Sequence, residues 1–433
     1  MKMIFHILTL LLMGWQLVSC KPEEPLKPTV PDPQDTTNQL VENDDFDLVF
    51  YKRMGVKGAC YATVVTECNV IYAIQTVGNG HNDAIIALDK QTADTLWVLP
   101  DQGATTNYKR YGDLLFYNSR DRLAALDIRT GTPLWQFSGQ PYGDGILGDY
   151  TFGNNQVFAF INMGYKGNGF EKNGLDSLMV FAIDPSSGNS ELKHTIYTRD
   201  RQGYRPFIQG AVYWQHPDGR DIVFCQSNSW NWDKDVNQGR GDYFAVDINH
   251  DSLYWDLGFY WFDQGIELNN GSGAAPLIDG NTIYISSGWD MRVSLDLTNK
   301  TTKWKTSIPA AYATGQYFYA PGVYYQGKLY YSVGNFKSFN IVDASDGSFV
   351  AGNKDMGGDF YASPLRVHDH AVWCTTTTGL YKVDEYAQKL AELPNEETVG
   401  GYYGSFQNGM DIDPETGYIY TTRGYAFVCL KEK

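Results

Sequence analysis

Long apolar runs are missing from this 433-residue sequence beyond its first twenty residues. Because a membrane-spanning helix needs about 20 consecutive apolar residues, we expect no transmembrane helix after the N-terminus. Cysteine is scarce as well: the chain has six, and no two of them form a Cys-x-x-Cys arrangement. That absence argues against a zinc site or a thioredoxin-like redox centre.

Positive charge is also in short supply. The chain has 34 Lys and Arg against 50 Asp and Glu, which gives a net charge of −16. Such a surface repels phosphates, so nucleic acid is excluded as a partner. Neither Gly-x-Ser-x-Gly nor His-Glu-x-x-His occurs, and carboxylates are too numerous for one acid–base pair to stand out. We therefore expect a binding protein and not an enzyme.

The N-terminus has the pattern of a bacterial export signal. Lys2 is followed by an apolar run over residues 4–13, and residues 17–20 read Leu-Val-Ser-Cys. This ending resembles the lipobox, which implies that a signal peptide of residues 1–19 is removed and that Cys20 is the lipid attachment site, carrying palmitate-type acyl chains. An ordinary signal peptide, in which Cys20 has no special part, is the alternative.

Residues 20–44 are rich in proline and polar side chains, so they predict an extended tether and not part of a core. The Lys-Pro-Glu-Glu at residues 21–24 resembles a signal that sends lipoproteins to the outer cell surface, and a solvated charge run is the alternative. We expect a lipid-anchored protein of the bacterial outer membrane. Whether it faces the periplasm or the cell surface stays open.

A short pattern recurs along residues 45–433: two mostly apolar residues, Asp, a polar turn, and then an apolar or aromatic residue. In four copies that residue is a Trp eight positions after the Asp. The Asp residues of the seven copies are Asp89, Asp127, Asp184, Asp247, Asp296, Asp343 and Asp384. We expect the Asp to accept backbone N–H groups in the turn, and Trp97, Trp135, Trp255 and Trp304 to fill wedges between neighbouring sheets.

Two more short strands precede most copies, so each unit predicts four antiparallel strands in about 40 residues or more, the pattern of a propeller blade. The fold class is therefore all-β, an eight-bladed β-propeller, with seven blades as the alternative. The last unit is one strand short. We expect residues 46–51 to supply it as an N-terminal strand that closes the ring.

The Asp, Thr-Gly and Trp pattern resembles the PQQ-like repeat of quinoprotein-type propellers. The resemblance is specific for fold and not for function. It implies similarity to the propeller lipoprotein of the outer-membrane barrel assembly machinery, a scaffold for protein partners. The quinoprotein dehydrogenases are the less favoured comparison, because the adjacent cysteine pair and the haem-attachment motif are absent from this sequence.

Three insertions interrupt the repeat spacing, at residues 162–176, 227–241 and 258–270. All three follow a second or fourth strand, so we expect them as loops on one face of the disc, where binding residues usually lie. Aromatic and acidic side chains in these loops are the candidate ligand-binding residues for a protein partner or, alternatively, a glycan. They are Tyr165, Trp230, Trp232, Tyr260, Trp261 and Glu267.

Two further interpretations depend on single motifs. Asp233, Asp235 and Asn237 begin like a calcium loop, but Gly and Glu are missing from its sixth and twelfth positions; we favour a solvated loop and expect no cofactor. Cys60 and Cys68 could pair across neighbouring strands. We favour buried unpaired thiols for the cysteines after Cys20, and leave that pair open.

Overall fold

A computed structural model describes most of the repeat region. The described residues are 43–53, 58–76, 82–119, 122–138, 145–163, 165–166, 169–170, 177–197, 208–231, 236–258, 275–287, 291–312, 322–333, 338–356, 365–376, 379–394, 409–423 and 426–433. They form strands and turns without a helix. No membrane-spanning helix is found among these described residues.

The described strands form eight four-stranded antiparallel blades. The first strand of the chain, β1 (Phe46–Arg53), belongs to the last blade. Blades 1 and 2 share one long strand and contain β2 (Gly58–Val65), β3 (Asn69–Thr76), β4 (Asn82–Asp89), β5 (Thr95–Tyr111), β6 (Leu114–Ser119), β7 (Arg122–Asp127) and β8 (Pro133–Ser138). The outer strand of blade 1 and the inner strand of blade 2 are the two halves of β5.

Blades 3 and 4 carry the insertions. Blade 3 has β9 (Gly145–Gly153), β10 (Gln156–Met163), β13 (Ser177–Ile183) and β14 (Ser190–Tyr197), with a separate hairpin of β11 (Tyr165–Lys166) and β12 (Gly169–Phe170). Blade 4 has β15 (Ile208–Gln215), β16 (Asp221–Asn231), β17 (Val236–Asp247) and β18 (Ser252–Gly258).

Blades 5 to 8 are more regular. Blade 5 has β19 (Leu277–Asp279), β20 (Thr282–Ser287), β21 (Met291–Asp296) and β22 (Thr301–Ser307), and blade 6 has β23 (Val323–Tyr325), β24 (Lys328–Val333), β25 (Ser338–Asp343) and β26 (Phe349–Asn353). Blade 7 has β27 (Arg366–His368), β28 (Ala371–Thr375), β29 (Gly379–Val383) and β30 (Lys389–Pro394), and blade 8 has β31 (Asp411–Ile412), β32 (Ile419–Arg423) and β33 (Ala426–Glu432).

The ring closes as the sequence predicts, which excludes the seven-bladed alternative. β1 pairs antiparallel with β33, from Phe46 opposite Glu432 to Arg53 opposite Ala426, and so becomes the outer strand of blade 8. The inner strands of successive blades are in contact around the ring, with Lys109 and Asp149 joining blades 2 and 3, and β31 contacts β2 of blade 1. The apolar clusters lie between neighbouring blades; one of them joins β1 and blade 8 to blade 1.

The repeated Asp has the turn role that was predicted for it. Oδ1 of Asp127 accepts the backbone N–H groups of Arg129 and Thr130, at 2.9 and 2.8 Å. Asp89 and Asp184 accept equivalent pairs of N–H groups. At Asp184, hydrogen bonds led by that from the Ser186 hydroxyl lower the pKa to about 2. Each such Asp turn ends the third strand of a blade and begins the fourth.

Each docked Trp packs on the Asp turn of the next blade. Nε1 of Trp97 donates to the Ile128 carbonyl at 3.2 Å, and the indole lies over Gly131, where a Cβ would come within 2.5 Å of the ring. Trp135 and Trp304 repeat this contact over Gly188 and Gly347. The wedge role predicted for these three Trp residues is confirmed.

Blade 4 departs from the predicted pattern. Trp255 is partly buried against the cluster between blades 4 and 5, but Tyr254 makes the bond to the next blade, with its hydroxyl donating to the Leu297 carbonyl at 2.8 Å. The prediction for Trp255 is therefore only half right. The receiving turn has Lys300 where other turns have Gly, and its Nζ lies 4.0 Å from the Tyr254 ring centroid. A side chain fits there because no indole covers this turn.

The cysteines divide into two groups. Cys225, Cys374 and Cys429 are free and buried, as predicted. Cys68 is disulfide-bonded, so the prediction of an unpaired thiol is wrong for it. The strand register places Cys60 opposite Ile74, several residues along β2 from the turn that contains Cys68. The side chain of Cys60 lies outside the described ones, so its pairing with Cys68 stays a prediction.

Candidate binding face

The two faces of the disc differ in their connections. On one face, the turn after the first strand meets the Asp turn of the same blade: the N–H of Ile128 donates to the Asp113 carbonyl at 3.1 Å, and Ala344 donates to Gly327 at 2.9 Å. We call this side the turn face. Because strands alternate in direction, the connections after second and fourth strands lie on the opposite side, the loop face. All three insertions fall in connections of the loop face.

The insertion of blade 4 is a β-ribbon and not the loop that the sequence predicts. Ser229 pairs with Arg240, and Asn231 with Val236, so β16 and β17 continue past the rest of the blade. Their neighbours end earlier, because β15 reaches Ser227 and β18 reaches Tyr243. Four further residues of strand extend about 13 Å at about 3.3 Å per residue. The ribbon therefore projects from the loop face with two unpaired edges in the described part.

The insertion of blade 3 contains the short hairpin of β11 and β12, in which Tyr165 pairs with Phe170. β11 contacts β9, the inner strand of its own blade. This hairpin therefore sits at the inner end of blade 3. The third insertion, residues 258–270, lies outside the described residues after Gly258.

The candidate ligand residues can be placed only in part. The backbones of Tyr165 and Trp230 lie on β11 and β16, in the two insertions, and their side chains are outside the described ones. Trp232, Tyr260, Trp261 and Glu267 lie outside the described residues, and so does Cys20. Of the calcium candidates, Asn237 is on β17, where the ribbon register is irregular, and Asp233 and Asp235 lie outside the described residues. These assignments remain predictions.

A layer of buried polar side chains lies beneath the loop face, and the sequence analysis did not identify it. In blades 2 to 8, the loop-face end of the second strand carries a buried Asn, Gln, Ser or Thr. These residues are Asn118, Asn162, Gln226, Ser286, Ser332, Thr375 and Thr422. Buried amides and hydroxyls require hydrogen-bond partners, so this layer can bind and orient the polar backbone of the connections above it.

Arg292 is the charged member of this layer. It is fully buried on β21, its Cζ lies 4.5 Å from the centroid of the Tyr331 ring in blade 6, and its Nη1 donates to the Met291 carbonyl at 3.0 Å. Burial raises the pKa of Tyr331. Among the described residues of this layer the other side chains are neutral, so its chemistry is hydrogen bonding and positioning, with no acid–base pair.

Two carboxylates on inner strands each connect three blades. Asp149 on β9 pairs with Nζ of Lys109 in blade 2 at 2.9 Å and accepts the N–H of Ala211 in blade 4 at 2.9 Å. Asp411 on β31 pairs with Nε of Arg366 in blade 7 at 2.7 Å and accepts the N–H of Val65 in blade 1 at 2.8 Å. Both fix the spacing of inner strands and so hold neighbouring blades together.

The signal for the polar layer is present in the sequence. An apolar run followed by one polar residue recurs as Leu-Leu-Phe-Tyr-Asn, Val-Phe-Ala-Phe-Ile-Asn and Ala-Val-Trp-Cys-Thr. A polar residue at a strand end normally indicates solvent exposure. The burial depends on neighbouring blades, so aligning the seven copies would have revealed the regularity but not its cause.

The described residues define the fold class of this protein, an eight-bladed β-propeller of four-stranded antiparallel sheets. No protein-family model matches the sequence, and no curated protein matches it.

Solved structures of known proteins share this fold. BamB from Moraxella catarrhalis has 12% sequence identity, a TM-score of 0.57, and coverage of 89% of this chain and 99% of that chain. The quinohemoprotein alcohol dehydrogenase from Comamonas testosteroni has 12% identity, a TM-score of 0.63, and coverage of 89% and 76%. Saccharomyces cerevisiae Sqt1 has 8% identity, a TM-score of 0.62, and coverage of 90% and 99%. At these identities the likeness concerns the fold alone.

Proposed function

We propose that this protein is a non-catalytic scaffold, anchored to the bacterial outer membrane through Cys20, that binds a protein partner on its loop face. The observation that carries the proposal is the blade 4 ribbon, a projecting element on a rigid closed ring. Exposed strand edges and inserted loops are common protein-binding elements. The similarity in fold to BamB agrees with this proposal and does not by itself assign it.

The position of the N-terminal strand also supports a partner site on the loop face, on the side away from the membrane. β1 begins at the turn face, since Phe46 lies opposite Glu432 at the end of the chain. The residues just before β1 are bound there as well: Nδ2 of Asn43 donates to the Glu392 carbonyl at 2.8 Å. A tether of residues 20–44 would therefore leave from the turn face, and the loop face would be presented away from the membrane.

Shortening the ribbon tests the scaffold function. The full chain and a shortened variant are expressed in cells. In the variant, Asn-Gly, which forms a two-residue hairpin turn, replaces residues 229–240. After cross-linking and affinity purification, we expect the unaltered protein to retain a membrane barrel protein, identified by mass spectrometry, and the shortened variant to lose it. The control is Tyr386→Ala, since Tyr386 is 58% exposed in the Asp turn of blade 7, on the turn face. Equal recovery from both variants would refute a loop-face partner site.

A surface glycan-binding function is the second candidate, because Trp230 and Trp232 flank the end of the ribbon strand β16. Aromatic rings stack on sugars. If this candidate is right, Trp230→Ala with Trp261→Ala abolishes retention on polysaccharide gels. Protease treatment of intact cells separates the two candidate functions. A protein that is protected from cleavage is not on the cell surface, which would contradict surface glycan binding.

A further inference from the structure

The outer strands of the blades are the exposed sheet edges of this propeller, and most of them carry charge. Charged side chains occur on β1, β14, β18, β22 and β30. Charged residues on an edge strand discourage pairing with other chains. β26 is uncharged but only partly exposed along its length. The edges of blades 1 and 2 are the remaining two.

The edge strand of blade 1 has no charged side chain over residues 95–100. Residues 95–100 read Thr-Leu-Trp-Val-Leu-Pro, and Leu96 and Val98 are 48% and 52% exposed. In the described part of the chain these residues pair with β4 alone, because pairing with β6 begins at Ala104. On blade 2 the edge has one such aliphatic, Leu134, next to Pro133, which lacks an N–H.

The neighbouring blade leaves most of this edge open. Nζ of Lys52 on β1 donates to the Ala93 carbonyl at 2.6 Å and to Oγ1 of Thr95 at 3.0 Å. These bonds fix the beginning of the edge. The opposite face of the strand is anchored by Trp97, whose indole is bonded into blade 2. The edge from Leu96 to Leu99 is thus rigidly held and outward-facing.

The geometry and charge of this edge indicate which kind of partner it can bind. A row of backbone N–H and C=O groups is matched by another extended strand, and exposed apolar residues at alternate positions give that strand side-chain contacts. A second copy of this chain is disfavoured, because each copy carries a net charge of −16 and two such molecules repel. The same charge attracts a basic partner.

We propose that residues 95–99 of β5 bind an extended, alternately apolar segment of a basic protein by strand addition. This edge is separate from the loop face and the proposed function does not depend on it. The ribbon-shortened variant should therefore bind such a segment as well as the unaltered chain does.

A defined peptide tests this proposal with the full mature chain. The probe is a nine-residue peptide of alternating valine and threonine with a lysine at each end, labelled for fluorescence anisotropy. We expect a Kd below about 1 mM, and slower amide hydrogen exchange confined to residues 94–99. Leu96→Lys with Val98→Lys should weaken binding at least about tenfold, since lysine on an edge opposes pairing.

Matched variants and peptides decide the outcome. Leu390→Lys is the control, because Leu390 is 54% exposed on the edge of blade 7, where Lys389 and Glu392 flank it; binding should stay within about twofold. If the double lysine variant does not fold, Leu96→Thr with Val98→Thr keeps strand propensity and should still weaken binding. Undiminished binding by either edge variant, protection elsewhere in the chain, or no binding at about 1 mM overturns the proposal. A glutamate-ended peptide that binds equally well would refute the basic partner.

Discussion

The glycine at the end of an Asp turn shows how one residue joins two blades. Gly131, Gly188 and Gly347 all have a positive φ and all lie under the indole of the preceding blade. Turns that receive no indole carry other residues at the equivalent position, such as Ala93 and Lys300. Glycine is therefore required here by the approach of the Trp more than by the backbone angle.

Gly131→Ala measures this requirement. The variant places a methyl group within 2.5 Å of the Trp97 ring at a φ of +68°, and we expect a loss of about 2–4 kcal/mol in the free energy of unfolding. Gly112→Ala is the control, since its φ is +59° with nothing within 4 Å, and should cost about 1 kcal/mol. Urea denaturation of both gives the difference. Equal losses would show that the indole contact contributes nothing.

The ion pair between Asp413 and Lys90 should make the stability of the protein depend on pH. Burial alone would raise the pKa of Asp413, but bonds led by that from Lys90, at 2.8 Å, outweigh it and leave the pKa below its usual 3.8. A lowered folded pKa stabilises the protein above the unfolded value, and that stabilisation is lost as pH falls through the folded value. Acid should therefore weaken the contact between blades 8 and 1.

Thermal melting at pH 7 and pH 3 checks this. Asp413→Asn should lower the melting temperature at pH 7, because Lys90 loses its ion partner, and should lower it less at pH 3, where the native carboxylate is partly protonated. Asp355→Asn, an exposed acid on blade 6, should change neither temperature appreciably. The prediction fails if the effect of Asp413→Asn is the same at both pH values.

Among the elements, β1 is the strand that closes the ring, since it pairs with β33 of the last blade. It buries Phe46 and Phe50, and the Phe46 ring meets Trp373 at 6.1 Å between centroids. It also covers the edge of β33, which would otherwise be an unpaired strand. The fold of blade 8 thus depends on residues more than 350 positions away in sequence.

Deleting residues 45–53 should therefore prevent folding. Two buried Phe side chains alone account for about 6–10 kcal/mol, comparable to the whole stability of a typical domain. Deleting residues 20–42 instead, which lie outside the described part, should leave the melting temperature unchanged. Circular dichroism and size-exclusion chromatography of the two proteins make the comparison. A cooperative melt without β1 would contradict the closure.

Local patterns predicted the elements that local chemistry determines. The Asp turn marks seven of the blades and the Trp four of those seven, because they repeat at fixed spacing, and the missing strand of blade 8 follows from counting. The blade 4 ribbon was predicted as a loop because residues 227–241 interrupt the repeat spacing after a second strand, and its pairing comes from backbone bonds that the spacing does not reveal. The role of Tyr254 and the polar layer depend on the next blade, which the sequence of one blade does not specify.

At the scale of the whole molecule, the ring is continuous in the chain except within blade 8. There β33 and β1 join the two ends through hydrogen bonds and packing alone. Everywhere else, opening a blade requires its covalent connections to stretch. Asp149 and Asp411 make the same kind of three-blade contact, one within the continuous part of the ring and one at the junction.

The loss of Asp149 and the loss of Asp411 should therefore accelerate amide exchange in different parts of the molecule. Asp149→Ala and Asp411→Ala each remove an ion pair and a backbone bond, and each should cost about 2–4 kcal/mol. With Asp149→Ala we expect faster amide exchange throughout the molecule, because blades 2 to 4 can open only when the whole ring unfolds. With Asp411→Ala we expect faster exchange first in β32 and β33, since these strands can separate from blade 1 without stretching the chain. Uniform acceleration in both variants would mean that the junction is no weaker than any other contact between blades.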